Sequence, residues 1–207
     1  MSRMTQTERR EATRGKLLTA ARQVFADKGF NGASIEQISE QAGLSRGAFY
    51  AHFRDKSEVF LAVLDDMVDQ IQQFADEAPE HPGPDAVLQA MVGVNVGHSR
   101  VDPVWFQLYS EFRSHALRDA ATRKRLAQHY RRLRKVIAGV IEAQFAALDI
   151  ALPATPSDLA SMVVAVDEGL AIQRGVDPKA VRPELLVELL ATLVQAVTAL
   201  AHEQADR

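Results

Sequence analysis

Cysteine is absent from all 207 residues. That removes disulfides, thiolate nucleophiles and cysteine-ligated metal sites together. Long apolar runs are missing as well: no stretch approaches the ~18 apolar residues of a membrane span. The polar, mixed-charge start MSRMTQTERREATRGK lacks the apolar segment of a secretory signal. There is no alternating strand pattern, phosphate-binding glycine loop, nucleophile elbow or metal-protease signature. The expectation from these gaps is a soluble, cytoplasmic, all-α protein that is not an enzyme and needs no cofactor.

What is present suits a globular chain. Hydrophobic residues make up 47% and charged residues 25%, enough apolar material for a real core. The net charge of −3 looks wrong for a nucleic-acid binder until it is divided. Residues 1–60 hold 10 Lys/Arg against 7 Asp/Glu, and the remainder 14 against 20. That pattern reads as a local basic surface on an acidic body, or as chance.

Helical periodicity runs nearly end to end. The spacing predicts a first helix over 7–27, with Gly29 as a left-handed cap and Phe30 folded back on the last turn. Ser34 and Gln37 form an S-x-x-Q capping box for a short helix to about 41. Gly43 permits a tight turn, and Ser45 caps a third helix to about His52. Asp55 and Glu58 open a fourth helix to about Asp76, striped by Phe60, Leu64, Met67, Ile71 and Phe74. A proline-rich loop begins at 78, and residues 85–98 read as a helix buried in a larger domain. Pro103 begins a helix carrying Trp105, Phe106, Tyr109 and Phe112. Asp119 caps a long helix to about Leu148, and the last two helices follow 155 and 183.

Two very short capped helices joined by a glycine turn, residues 34–53, make sense only when packed on the first helix through Ile35, Ile38, Ala42, Leu44, Phe49 and Phe53. That leaves Arg46, Gly47, Ala48, Tyr50, Ala51 and His52 on or near the outer face. In a groove-inserted helix the N-terminal residues meet base edges. Arg46 suits guanine N7 and O6, and Gly47 and Ala48 permit close approach. Ser34, Ser45, Tyr50, His52 and Lys56 offer hydroxyl, amide-cap and cationic groups for phosphates. Arg9, Arg10, Arg14 and Lys16 could add a flexible basic arm.

Three further features carry alternatives. The last helix bears Leu185, Leu186, Leu189, Leu190, Leu193, Val194, Val197 and Leu200, too much apolar surface for one face unless it is buried within the subunit or meets a second chain. Met67, Phe74, Met91, Trp105, Phe106, Tyr109, Phe112, Phe145 and Met162 could line an effector pocket. Asn95, His98, Asp167, Glu111 and Gln173 are its candidate polar groups, each also readable as an ordinary core or interface residue. Glu111, His115 and Asp119 stand four apart, which could begin a metal site but, without further ligands at a set spacing, reads better as a solvated or salt-bridged face. The basic run 123–135 reads as one amphipathic helix able to pair with acidic surface elsewhere.

The pattern F-x-x-K-G-F at 25–30, I-x-x-I-S-x-x-A-G at 35–43 and S-R-G-A-F-Y-x-H-F-x-x-K at 45–56 resembles the DNA-binding region of the tetracycline-repressor (TetR) family. The likeness spans roughly 10–60. Ser34 stands where the family more often has threonine, and Ala48 where threonine or serine is common. FQLYSEFRSHALRD with the arginine-rich helix after it resembles, more loosely, the regulatory region of BetI-type repressors. The resemblance implies a three-helix helix-turn-helix domain (1–54) and a larger helical ligand-binding and dimerisation domain (55–207). It also implies a homodimer through the last two helices, and a repressor of palindromic double-stranded operator DNA released by an unknown small-molecule effector. The alternative is an all-α small-molecule-binding regulator that acts on a protein partner without DNA.

Overall fold

The computed structural model describes residues 5–77, 103–147, 149–152, 154–182 and 184–205. Every regular element among them is an α-helix: α1 (Gln6–Gly32), α2 (Ile35–Gln41), α3 (Arg46–Tyr50), α4 (Lys56–Asp76), α5 (Pro103–Arg118), α6 (Ala120–Ala147), α7 (Pro156–Val176) and α8 (Leu185–Ala205). The all-α expectation holds. The helix expected over 85–98, with Met91, Asn95 and His98, lies outside the described residues, as do the side chains of Phe74, Trp105 and Leu200.

Side chains set the helix ends. Thr5 and Glu8 form a reciprocal box: the Glu8 amide donates to Thr5 Oγ1 at 3.2 Å and the Thr5 amide to Glu8 Oε2 at 2.7 Å. The T-x-x-E spacing of this box is itself legible in the sequence. It starts α1 at Gln6 and makes Arg9, Arg10, Arg14 and Lys16 helical, which overturns the expected flexible arm. Asp119 Oδ2 accepts the Thr122 amide at 2.6 Å at the head of α6, and Thr155 caps α7 ahead of Pro156.

The chain forms two compact units, 1–66 with 107–129 and 67–106 with 130–207. Residues 56–66 of α4, 107–118 of α5 and 120–129 of α6 thus fold with the helix-turn-helix. The first unit is built on four buried rings, Phe25, Phe30, Phe60 and Phe112. Phe60 meets Phe112 at 4.3 Å and Phe25 at 5.1 Å, and Phe30 meets Phe112 at 5.0 Å between centroids. Edge and tilted contacts of this kind add to the burial of the rings. Ion pairs from Arg22 to Asp66 and from Arg125 to Asp55, with a His129 to Asp65 hydrogen bond, fasten α1 and α6 to α4 and its cap.

In the second unit Val68 and Ile71 of α4 join Leu133, Ile137, Ile141 and Phe145 of α6, Ala160 and Val164 of α7, and Val194 of α8. Tyr130 donates to Glu168 at 2.5 Å, and Arg132 pairs with Asp69. The basic run of α6 is therefore partly paired with acidic α4, as its composition suggested. The Phe106 ring lies so close to Gly175 that a methyl there would meet it at 2.2 Å. The leucines of α8 separate into two stripes. Leu186, Leu190 and Val194 are buried, whereas Leu185, Leu189 and Leu193 are exposed.

The corner between α1 and α2 belongs to the first unit and turns on Gly29, at φ 70° and ψ 172°. That region is open essentially to glycine alone. It lets Phe30 drop into the ring cluster, as expected, by a sharper break than a simple left-handed cap. Glu111 of α5 closes over the corner: its Oε2 accepts the Asn31 amide at 3.2 Å and would lie 3.0 Å from a methyl at Gly29. Gly29→Ala should therefore destabilise the protein by about 1–3 kcal/mol, mostly through backbone strain. Adding Glu111→Ala should relieve only the contact. An unchanged urea midpoint for Gly29→Ala would show that the corner tolerates a side chain.

Candidate nucleic-acid interface

α2 packs on α1, and α3 on α2. Ser34 begins α2: its Oγ accepts the Gln37 amide at 3.2 Å while the Ser34 amide donates to Gln37 Oε1 at 2.9 Å, the expected box. Ile38 is buried completely, and beside it the Ser39 hydroxyl donates to the Ile35 carbonyl at 2.8 Å. Gly43 sits at φ 66°, where the chain reverses and the Leu44 amide reaches the Ser39 carbonyl at 2.9 Å. Ser45 then caps α3 by accepting the Ala48 amide at 3.2 Å. Of the expected anchors, Ile38, Phe49 and Phe53 are buried, and Ile35, Ala42 and Leu44 are partly covered.

With Phe49 pointing inward, the same short helix presents Arg46, Gly47 and Tyr50 to solvent and leaves Ala48 half-covered. Arg46 is 59% exposed, with Nη1 2.8 Å from Glu36 Oε1 of α2. Its guanidinium also lies 6.0 Å from the Tyr50 ring centroid. The hydrogen bond to Tyr50, and then the Glu36 charge, hold its pKa above the ordinary value. It remains cationic in any case.

His52 is half-buried beside Phe53. Burial pushes its pKa below the usual imidazole value, and the charges of Arg10 and Arg14 on α1 push the same way. Arg14 also lies 5.6 Å from the Phe53 ring centroid. The basic residues of the first turns of α1 thus stand near the far end of α3, which sequence spacing alone did not place.

Lys56 is more tightly held than expected. Its ammonium donates to the carbonyls of Asn31 at 3.3 Å and Ala33 at 2.8 Å and sits 4.8 Å over the Phe30 ring. Burial lowers its pKa, and the Glu111 charge partly offsets that. Lys56 and Glu111 together satisfy backbone groups at the α1–α2 corner, so a residue expected at the phosphate surface is also a structural cap. Next to it, Arg54 grips Glu58 through two side-chain contacts of 3.0 and 3.2 Å and its own amide at 2.6 Å. Glu58 in turn donates its amide to Asp55 Oδ1 at 2.7 Å. The Asp55–Glu58 capping logic holds, but the reciprocal partner is Arg54.

The expected effector residues do not share one unit. Phe112 belongs to the ring cluster of the first unit, and Tyr109 lies there under the Arg113 guanidinium at 5.8 Å. Met67, Phe145, Met162 and Asp167 belong to the second. There Phe145 and Met162 help line an apolar cleft of about 140 Å³ with Leu189, Leu190 and Leu193 of α8. Met162 is 58% exposed. Among the described residues no group of His, Asp and Glu is arranged to hold a metal, and no helix is long and apolar enough to cross a membrane.

The chain matches two family models. One, described as bacterial regulatory proteins of the tetR family, matches residues 17–63. The other, described as the C-terminal region of BetI-type transcriptional repressors, matches residues 84–199. Among curated relatives, the transcriptional activator FasR of Mycolicibacterium smegmatis is 44% identical over 62 residues, 30% of this chain and 28% of that protein. The transcriptional repressor BepR of Brucella suis is 33% identical over 97 residues, 44% of each. The chain thus spans less than half the length of either relative. Among solved structures, Salmonella enterica GusR superposes with a TM-score of 0.67 at 21% identity, covering 95% of this chain and 98% of that one, a likeness of fold. The helix-turn-helix of residues 34–53 and the region that follows it therefore place this chain in the TetR family of bacterial transcription regulators.

Proposed function

We propose that this regulator is a repressor that binds palindromic operator DNA as a homodimer and is released by a small-molecule effector. The observation that carries the DNA reading is the outward placement of Arg46 on a capped helix whose other face is pinned by buried Phe49. α3 enters the major groove, where Arg46 forms paired hydrogen bonds to a guanine while Gly47 and Ala48 let the backbone close on neighbouring bases. The Ser34 and Ser45 hydroxyls already accept helix amides, which leaves each O–H to donate to a phosphate. Tyr50, His52 and the remaining donor of Lys56 complete the backbone contacts.

Dimerisation is supported by the exposed stripe of Leu185, Leu189 and Leu193 on α8, continuous with the apolar cleft it forms with α6 and α7. An exposed apolar stripe of this kind fits an interaction surface, and a two-fold dimer matches a palindrome with half-sites ~34–36 Å apart. Effector binding belongs in the second unit. Supporting it is an opening of about 480 Å³ between α4 and α6, where the side-chain oxygen of buried Gln144 has no partner among the described residues. The effector acts by binding one arrangement of the protein better than the other.

The direct test is gel-shift titration against the DNA upstream of the gene and of its neighbours. Specific retardation, lost on adding effector, is expected. No binding at low salt would favour a regulator acting on a protein partner. Arg46→Ala should cost about 1–3 kcal/mol and relax preference at one base pair, while Lys56→Ala weakens all duplexes alike. A uniform loss for Arg46→Ala would remove it from base reading.

His52 gives a pH signature. Its free-state pKa is depressed, so it is largely neutral at pH 7, and a neighbouring phosphate raises that pKa. Binding then takes up a proton, and affinity rises as pH falls through the bound-state pKa and levels off below the depressed free-state one. His52→Gln should flatten this part of the pH profile; an unaltered slope would separate His52 from the phosphates. In solution, light scattering should give twice the chain mass. Leu193→Glu, on the exposed stripe, should yield a folded monomer with weakened operator binding. A Leu193→Glu dimer would place the interface elsewhere.

A further inference from the structure

Arg46 is not presented as a lone cation. Glu36, in the first turn of α2, reaches across to α3 and takes Nη1 at 2.8 Å, while Tyr50, one turn along α3, lies against the guanidinium at 6.0 Å. Both helices are fixed by buried residues, Ile38 on α2 and Phe49 on α3, so the two side chains start from fixed points on facing helices. The pair is too exposed, at 59% and 55%, to matter much for stability. Position is where it has an effect. An unrestrained arginine at a groove surface settles on any nearby phosphate, which adds affinity for all DNA and discrimination for none. One already neutralised on its Nη1 side gains less from a phosphate. Its donors turned away from Glu36 are the ones a guanine edge would meet, and less side-chain freedom is lost when that contact forms.

We infer that Glu36 is a positioning residue for base recognition: it holds Arg46 for guanine and withholds it from phosphate. The inference rests on the reading of α3 as the recognition helix. Glu36 touches no base in this arrangement, and its influence on sequence preference passes entirely through Arg46. In the groove, where water is partly displaced, the pair strengthens and the orientation tightens. The carboxylate also sets a like charge against phosphates, which disfavours binding that lacks the guanine contact.

The test uses the full chain and a duplex selected by it from a randomised palindromic library. Kd is measured for that duplex and for versions with each guanine replaced by 7-deazaguanine, which lacks the N7 acceptor. At the guanine sensed by Arg46, Glu36→Gln should lower the Kd ratio by about three- to tenfold, as expected for coupled side chains. It should also tighten binding to unrelated DNA. Glu40→Gln removes the same charge from the other end of α2 and should leave the ratio unchanged. In an Arg46→Ala background Glu36→Gln should have no further effect on it.

An unaltered ratio in Glu36→Gln, an equal fall in Glu40→Gln, or a fall that persists without Arg46 would each overturn the positioning role. If Arg46→Ala leaves the ratio unchanged at every guanine, the recognition-helix reading fails and the inference falls with it. Thermal unfolding of each variant separates these outcomes from loss of the α2 end, because a purely structural role would move the midpoint and not the base preference.

Discussion

A helix of five residues cannot hold itself in water, and one of seven scarcely does better; isolated helices below ~12–15 residues are marginal at best. α3 and α2 have those lengths. The whole presentation of the interface therefore depends on where Ile38 and Phe49 are buried, and on the ring cluster behind them that ties α1 to α4 and α5. Each buried ring contributes on the order of 1.5–3 kcal/mol, far more than any cap or exposed ion pair nearby. Because packing fixes the backbone, the outward residues of α3 are left free of any structural duty. Glycine, alanine and an exposed arginine can occupy positions that a helix stabilised from within would fill differently.

The α1–α2 corner extends that dependence to charge. Gly29 breaks the helix and leaves carbonyls and amides in need of partners, and two opposite charges supply them: Lys56 from the head of α4 and Glu111 from α5. Each charge sits near the other's backbone partners, which lowers the cost of partly burying both. α4 and α5 are also the helices whose further residues belong to the second unit. A displacement of α5 along its own axis has to disturb the Asn31 amide, and one of α4 the Asn31 and Ala33 carbonyls. The groups that set the α1–α2 corner are thus carried on helices that reach beyond the helix-turn-helix.

How far this was legible in the sequence depended on whether the signal was local. Ser34 with Gln37, Gly43, Ser45, Asp55 with Glu58 and Asp119 are all short-range devices, and each stands where its spacing puts it. Thr5 with Glu8 was equally local and readable. Glu111 was not: a carboxylate on an amphipathic helix says nothing about an amide 80 residues earlier in the chain. Nor could periodicity say which core an apolar face enters. Phe112 and Phe145 look alike as helical aromatics, yet one completes the ring cluster of the first unit and the other packs in the second. The leucines of α8 show the same gap. Their number announced two faces, but only packing separated the buried stripe of Leu186, Leu190 and Val194 from the exposed one.

The cations of the first unit show a last consequence of the fold. Arg22 is paired with Asp66, Arg54 with Glu58, Arg125 with Asp55 and Arg46 with Glu36, while Lys56 is tied to backbone carbonyls. A formal excess of basic residues in the N-terminal segment is therefore not a uniform positive surface. A cation with a partner at 3 Å or less displaces few counterions when it nears DNA, so it adds little to the salt-dependent, sequence-blind part of the affinity. Arg10 and Arg14 on α1 stand close enough to His52 to lower its pKa, so cationic charge gathers at that end of the interface too. On the proposed reading, attraction and base recognition would fall to different elements, Arg10 and Arg14 on α1 to the DNA backbone and the paired Arg46 on α3 to the bases.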